Sequence, residues 1–163
     1  MQIDSLADHP DAIPMLARWH HEQWKHLSPG SSIEQRIVRL QAHLGKKPIP
    51  TTFVALSSLG ERTADIVGSA SLIAHDMDTH PELTPWLASV FVAPQHRGRG
   101  IGTALIRRVI HKAGALGATQ LYLFTTPDKK GFYARLGWSS IERTLYRGYQ
   151  QIVMVLQIDS SKS

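Results

Sequence analysis

Val90-Phe91-Val92-Ala93-Pro94 runs through Gln95-His96 into Arg97-Gly98-Arg99-Gly100-Ile101-Gly102, and helical periodicity then continues to Gly117. A short apolar strand, a basic glycine turn and a long amphipathic helix thus follow one another directly. That order builds an anion cradle. The first amides of a helix have no internal partners, and the helix dipole favours negative charge beside them. Glycines let the turn curl so that several N–H groups face one anion. The stretch is therefore expected to hold a diphosphate.

Two common phosphate signatures do not fit. The dinucleotide fingerprint needs a glycine where Thr103 stands, and an acid roughly 20 positions later. No Asp or Glu occurs from Leu83 to Pro127. The P-loop signature G-K-[S/T] is also absent. A third pattern, R/Q-x-x-G-x-G/A, is met by Arg97, Gly100 and Gly102. Val90-Phe91-Val92-Ala93-Pro94 stands before it, and Gly131-Phe132-Tyr133-Ala134-Arg135-Leu136-Gly137-Trp138 follows it. In this combination the chain resembles the GNAT superfamily of N-acetyltransferases. Those sequences carry an L-x-V-x-P strand before the phosphate loop and an F-Y-x-x-L-G-[F/W] helix after it. The resemblance covers Phe53 to Leu156 and thins over the first 50 residues.

Charge supports a phosphate partner. Arg97, Arg99, Arg107, Arg108 and Lys112 lie within the acid-free segment, and they account for the whole formal charge of +5. The excess is local and surrounds the glycine turn. Acetyl-CoA, with its pyrophosphate and 3′-phosphate, suits such a patch as co-substrate. Nucleic acid is the alternative partner of a basic protein. No aromatic-rich RNA-binding signature or recognition-helix pattern accompanies these cations, so nucleic acid is not expected as a partner. The 163 residues are enough for one domain, residues 1–163, with a normal core and a loose tail over 158–163. Cysteine is absent, which excludes disulfides and a cysteine nucleophile. No apolar run suits a membrane span or a leader, so a cytoplasmic protein without membrane contact is expected. A homodimer stays open.

Periodicity predicts helices over His9 to Trp24, Ser32 to Leu44, Ile101 to Gly117 and Lys129 to Leu136. The third is expected to bury Ile101, Leu105, Val109, Ala113 and Leu116. Strands are predicted at Gln2 to Leu6, Thr52 to Leu56, Ile66 to Ala74, Trp86 to Ala93, Thr119 to Thr125, Ser139 to Tyr146 and Gln150 to Ile158. A turn is placed near Gly60. This order suits an α/β (α+β) fold. As in GNAT proteins, it would be a mixed, mostly antiparallel sheet of about seven strands flanked by about four helices.

Acetyl transfer from a thioester to an amine needs four things. The donor must be anchored, the carbonyl polarised, the amine made neutral and the departing thiolate protonated. The anchor is the backbone of Arg97, Gly98, Arg99, Gly100, Ile101 and Gly102, with the Thr103 hydroxyl as a further donor. The resemblance implies that backbone groups of Val90 and Val92 face the pantetheine arm. It also gives the Val90 N–H to the thioester carbonyl and Tyr133 to the sulfur as its proton donor. An arm contact is implied at Thr126, where relatives often have Asn. The glutamate that many relatives carry two residues before Val90 is replaced by Ala88. Asp76, Asp78, His80 and Glu82 in the preceding loop are candidate bases, with Asp76 and Glu82 foremost, and a water chain is another route.

The nine histidines lack the helical spacing of a zinc site, so no metal is expected. The acids of the His75 to Pro85 loop suggest a cationic amine as acceptor, with Trp86 and Trp19 or Trp24 forming an apolar or cation–π wall. A non-catalytic acyl-CoA-binding module remains the other reading, followed by a nucleic-acid-binding protein.

Overall fold

Alternation in the strand segments and helical periodicity elsewhere set how this chain layers. The computed structural model describes residues 1–45, 47–57 and 65–159, and their strands form one seven-stranded sheet. The strands are β1 (Gln2–Ser5), β2 (Thr51–Leu56), β3 (Ile66–Ile73), β4 (Trp86–Val92), β5 (Gln120–Thr125), β6 (Ser139–Tyr146) and β7 (Tyr149–Gln157). The helices are α1 (Ile13–Trp24), α2 (Ile33–Ala42), α3 (Ile101–Ala115) and α4 (Lys130–Arg135). The expected turn at Gly60 lies outside the described residues, as do residues 160–163 of the tail.

Across the sheet the order is β1-β2-β3-β4-β5-β7-β6. Neighbours are antiparallel except β4 and β5, which are joined through the α3 crossover. Successive residues of β2 point to opposite faces, as the pleat requires. Phe53 and Ala55 join Leu105, Ile106 and Val109 of α3 in one cluster. Val54 and Leu56 join Leu16 and Ala17 of α1 and Leu40 of α2 in another. The sheet is thus covered on both sides.

Boundaries differ from the sequence reading where backbone chemistry intervenes. Proline has no N–H to give, and Pro10 opens a separate short 3-10 turn over Pro10–Ala12. The first helix therefore begins at Ile13 rather than His9, with Pro14 in its first turn. Ser32 starts α2 with a reciprocal cap: Gln35 N–H donates to Ser32 Oγ (3.1 Å), and Ser32 N–H donates to Gln35 Oε1 (3.0 Å). Leu116, expected in the buried stripe of α3, is 40% exposed. The helix has already ended there, and Gly117 turns the chain with φ +91°. Ile106 is buried on that face, beside Leu105.

One irregularity positions everything that follows. Between β3 and β4 the register passes from Ser69↔Phe91 to Ser71↔Ala88, so Ser89 and Val90 together face Ala70. This is a bulge, and Ser89 adopts φ +54° within it. Beyond the bulge β4 has no ladder to β5. The two strands pair at Trp86↔Tyr122 alone, supported by Tyr122 N–H donating to Pro85 O at 3.0 Å.

Gly68 lies where β3 meets β4 and α3. A Cβ there would meet the Phe91 carbonyl at 2.8 Å and Leu105 Cδ1 at 3.1 Å. Backbone cannot rotate away as a side chain does. Gly68→Ala is expected to lower stability by about 1–3 kcal/mol, read as a lower urea midpoint. An unchanged midpoint would show that β4 shifts freely.

Candidate active site

The open edge of β4 presents backbone donors to the gap. Ala93 N–H donates to Val67 O on the β3 side at 2.8 Å. Strand alternation then turns the Val90 and Val92 N–H groups the other way, toward β5. That is the direction in which the sheet has parted. A ligand arm lying there would complete the sheet by backbone hydrogen bonding.

At one end of the gap is the glycine turn. Gly98 and Gly100 have φ of +79° and +80°, a region that side chains with a Cβ rarely adopt. Gly100 is the residue before α3, and no side chain caps that helix. Its first amides therefore face a cavity of about 220 Å³ whose wall includes Val92, Arg97, Gly98, Gly100, Gly102 and Thr103. Ile101 adds to this wall while burying most of its surface in the core. Arg97 is partly occupied: its Nε donates to Val92 O at 2.9 Å, and its guanidinium carbon lies 5.7 Å from the Phe91 ring centre. Arg99 is exposed and outside the wall.

The other end opens into a cavity of about 420 Å³. Ala88, Val90, Thr126 and Tyr133 bound it on the sheet side, and Trp24, Arg36, Arg39 and His43 bound it on the side of α1 and α2. Asp76 enters from the loop after β3. Burial pushes the Asp76 carboxyl up to about 7, against the pull of Arg39 and Arg147. Burial also pushes the Tyr133 phenol up to about 12, and its ring lies 6.2 Å from that of Trp138. Tyr133 thus stays protonated at neutral pH. Asp76 sits near the point of half-ionisation.

The other loop acids are placed elsewhere. Asp78 accepts from the Tyr146 hydroxyl (3.3 Å) and pairs with Arg147 (3.4 Å), while Glu82 is exposed and outside the cavity wall. His80 is tied to Glu142 of β6 at 2.5 Å. Trp86 is fully buried, its indole N–H donating to Leu83 O (2.7 Å), and Trp19 stacks on Phe91. Of the expected aromatic wall, Trp24 alone lines the cavity. The three-acid surface expected for a cationic acceptor is therefore reduced to Asp76.

Sequence reasoning did not assign site roles to His20, Arg36 or His43. His20 Nε2 meets Ser69 Oγ at 2.8 Å, and Ser69 Oγ donates to Ser89 O at 3.4 Å, at the bulge. His43 Nδ1 meets Thr52 Oγ1 (2.7 Å), which meets Ser71 Oγ (2.8 Å) opposite Ala88. Each chain of hydroxyls braces β3 where it supports β4. Polar residues on apolar helical faces were the available signal. Arg36 lies between Ile33 and Leu40 on the stripe of α2, and His20 follows Leu16 on that of α1.

Comparison with known proteins shows a family and a fold. Residues 13–138 match the Acetyltransferase (GNAT) family. An uncharacterised N-acetyltransferase of Methanocaldococcus jannaschii is 40% identical over 67 residues, 39% of this chain and 29% of that protein. The matched stretch thus spans under a third of that curated relative's length. A ribosomal-protein-alanine N-acetyltransferase from Brucella melitensis superposes with a TM-score of 0.74 at 18% identity, over 96% of this chain and 99% of that one. The structure of yncA from Salmonella typhimurium, with its cofactor acetyl-CoA, gives 0.67 at 19% identity, over 98% and 94%. The chain belongs to the GNAT acetyltransferase family and has its fold. No described helix is long and apolar enough to cross a membrane.

Burial, with Arg36 and His43 adding like charge, holds His20 down to about 3, and burial with Arg39 holds His43 down to about 4. Their ordinary value is near 6.5, so the unfolded chain takes up these protons first as pH falls. Both therefore lose native stability for the protein from about pH 6.5 toward 4. Asp76 has the opposite sign, because its raised value makes ionisation between pH 4 and 7 destabilising. Urea midpoints of wild type and Asp76→Asn across this range check it. The variant should gain on wild type as pH rises, by on the order of 2–3 kcal/mol. A difference that does not vary with pH would contradict the assigned environment.

Proposed function

We propose that this chain is an N-acetyltransferase that moves acetyl from acetyl-CoA directly to a primary amine. The observation that carries this reading is the parted β4–β5 edge, which runs between the glycine-turn cavity and the cavity holding Asp76 and Tyr133. In this reading the pyrophosphate lies on the amides from Gly98 to Thr103, where the start of α3 favours negative charge. The pantetheine arm takes the place of a strand beside Val90 and Val92, with Thr126 on its far side.

Asp76 accepts a proton from the ammonium form of the acceptor. The neutral nitrogen attacks the thioester carbon, and negative charge on the oxygen is met by the Val90 N–H. The C–S bond then breaks as Tyr133 gives its proton to the departing thiolate, and the nitrogen sheds its second proton to solvent as the amide forms. Asp76 needs to reach the amine directly or through one water. Its raised value suits a base working near neutrality, and Tyr133 is expected to recover its proton from solvent. Glu82, foremost with Asp76 in the sequence reading, has no place in this scheme. The cationic acceptor suggested by the sequence loses support with it, because the cavity also presents Arg36 and Arg39.

Donor binding is tested first. Acetyl-CoA at about 100 times its dissociation constant should stabilise the fold by roughly 2.7 kcal/mol in a thermal-shift experiment. Gly100→Val should remove that response, since φ +80° strains the new side chain and reorients the helix amides. No response in the unaltered protein would end the acetyl-CoA reading.

Chemistry is tested by thiol release. Asp76→Asn and Tyr133→Phe should each lower turnover by about 10²-fold while leaving the acetyl-CoA shift intact. In the unaltered protein kcat/KM should rise with pH through about 7, the value held by Asp76, and Asp76→Asn should flatten that rise. Full turnover in either variant would remove that residue's proton-transfer role. Donor binding without thiol release from any amine would favour an acyl-CoA-binding module.

A further inference from the structure

The larger cavity contains a buried cation, Arg36, that no described residue neutralises. Arg36 is only 8% exposed, and its Nε is buried without a hydrogen-bond partner. Among the described residues it has no ion-pair partner either. Arg39, one helical turn further along α2, also lines the cavity without an ion-pair partner among the described residues. The two are close enough that Arg39 adds like charge to the burial that weakens Arg36's hold on its proton. Arg147 differs, because its guanidinium is already held by Leu27 O, Ser28 Oγ and Asp78. Asp76 is the sole acid of the cavity wall among the described residues, and it faces Arg39 and Arg147.

An uncompensated buried charge is costly, whereas a planar guanidinium satisfied by a carboxylate or phosphonate in forked geometry is among the strongest polar contacts available. The donor's phosphates do not supply that anion, since the glycine-turn cavity contains neither Arg36 nor Arg39. We propose that the acceptor is a primary amine that also carries an anionic group, seated on Arg36 and Arg39. This rests on the acetyltransferase reading and gives its substrate class. The amine end lies toward Asp76 and Val90, and the anionic end lies toward α2. A cavity of about 420 Å³ accommodates an amino acid or a molecule of similar size.

The test is a thiol-release panel with acetyl-CoA and matched acceptors. Each set contains an α-amino acid, its amide, its aminophosphonate counterpart and a polyamine of similar length. The carboxylate or phosphonate member should exceed the amide and the polyamine in kcat/KM by about 10²-fold, because a site built to bond a group rejects analogues lacking it. The better of the two anionic arms identifies the anion. Arg39→Gln, on the exposed face of α2, should raise KM for anionic acceptors far more than KM for the amide. Arg36→Lys should retain part of the preference and Arg36→Gln should lose it. The acetyl-CoA thermal shift checks that each variant still folds and binds the donor. Preference for amides or polyamines, or variants that keep full selectivity, would overturn this inference and leave acetyl transfer standing. No thiol release from any acceptor would overturn both.

Discussion

The missing hydrogen-bond ladder between β4 and β5 is the constraint on which the rest of this structure depends. A sheet interior is normally closed by paired N–H and C=O groups, and an unpaired edge is a liability unless something covers it. Here the edge is created inside the sheet, because two residues of β4 face one residue of β3 and β4 bends aside. Ser89 holds an uncommon backbone conformation to do so. The hydroxyl of Ser69 bonds the Ser89 carbonyl, and buried His20 bonds Ser69 in turn. Strain at one residue is thus fixed by a polar chain reaching back to the first helix.

That arrangement explains why α1 and α3, on opposite faces of the sheet, both bear on one site. The amides at the start of α3 are aimed by positive φ at Gly98 and Gly100, and the gap is held by groups that α1 contributes. Two cavities lie along one strand edge, with Val92 at the first and Val90 at the second. A donor with a charged head and a narrow arm fits this order of features, and its reactive end would emerge beside Tyr133 and Asp76. Neither residue is placed by the glycine turn itself. The parallel β4–β5 crossing brings α4, with Tyr133, to the same end of the sheet as the turn, whereas Asp76 enters from the loop before β4.

Much of the fold was legible in the sequence because periodicity and glycine placement are local signals. All seven strands lie within a few residues of their expected positions, and the strand–turn–helix passage from β4 to α3 falls where it was expected. Helix ends were less legible. Pro10 diverts the chain into a 3-10 turn, and Leu116 falls past the end of α3, although both satisfy the helical period. Around the larger cavity the sequence could count acids but not aim them. Asp76, Asp78 and Glu82 are close in sequence, yet one enters the cavity, one is held by Tyr146 and Arg147, and one meets solvent. Arg36 posed the reverse problem. Its position on an apolar stripe was visible, but only the packing of α2 against α1 and the sheet makes it a buried cation.

Asp76 and Arg36 are both held in conditions that disfavour their charged forms, one by burial against nearby arginines and one by burial beside Arg39. The core around them is three clusters of buried apolar side chains among the described residues, two of them on opposite faces of the sheet. Groups of opposite sign lining one cavity have a consequence for recognition. A molecule bearing an ammonium at one end and an anion at the other relieves both penalties at once, whereas a polyamine adds like charge to α2. Selectivity of this kind would not require a shape-matched pocket, because unpaired positive charge on α2 would reject the wrong partner.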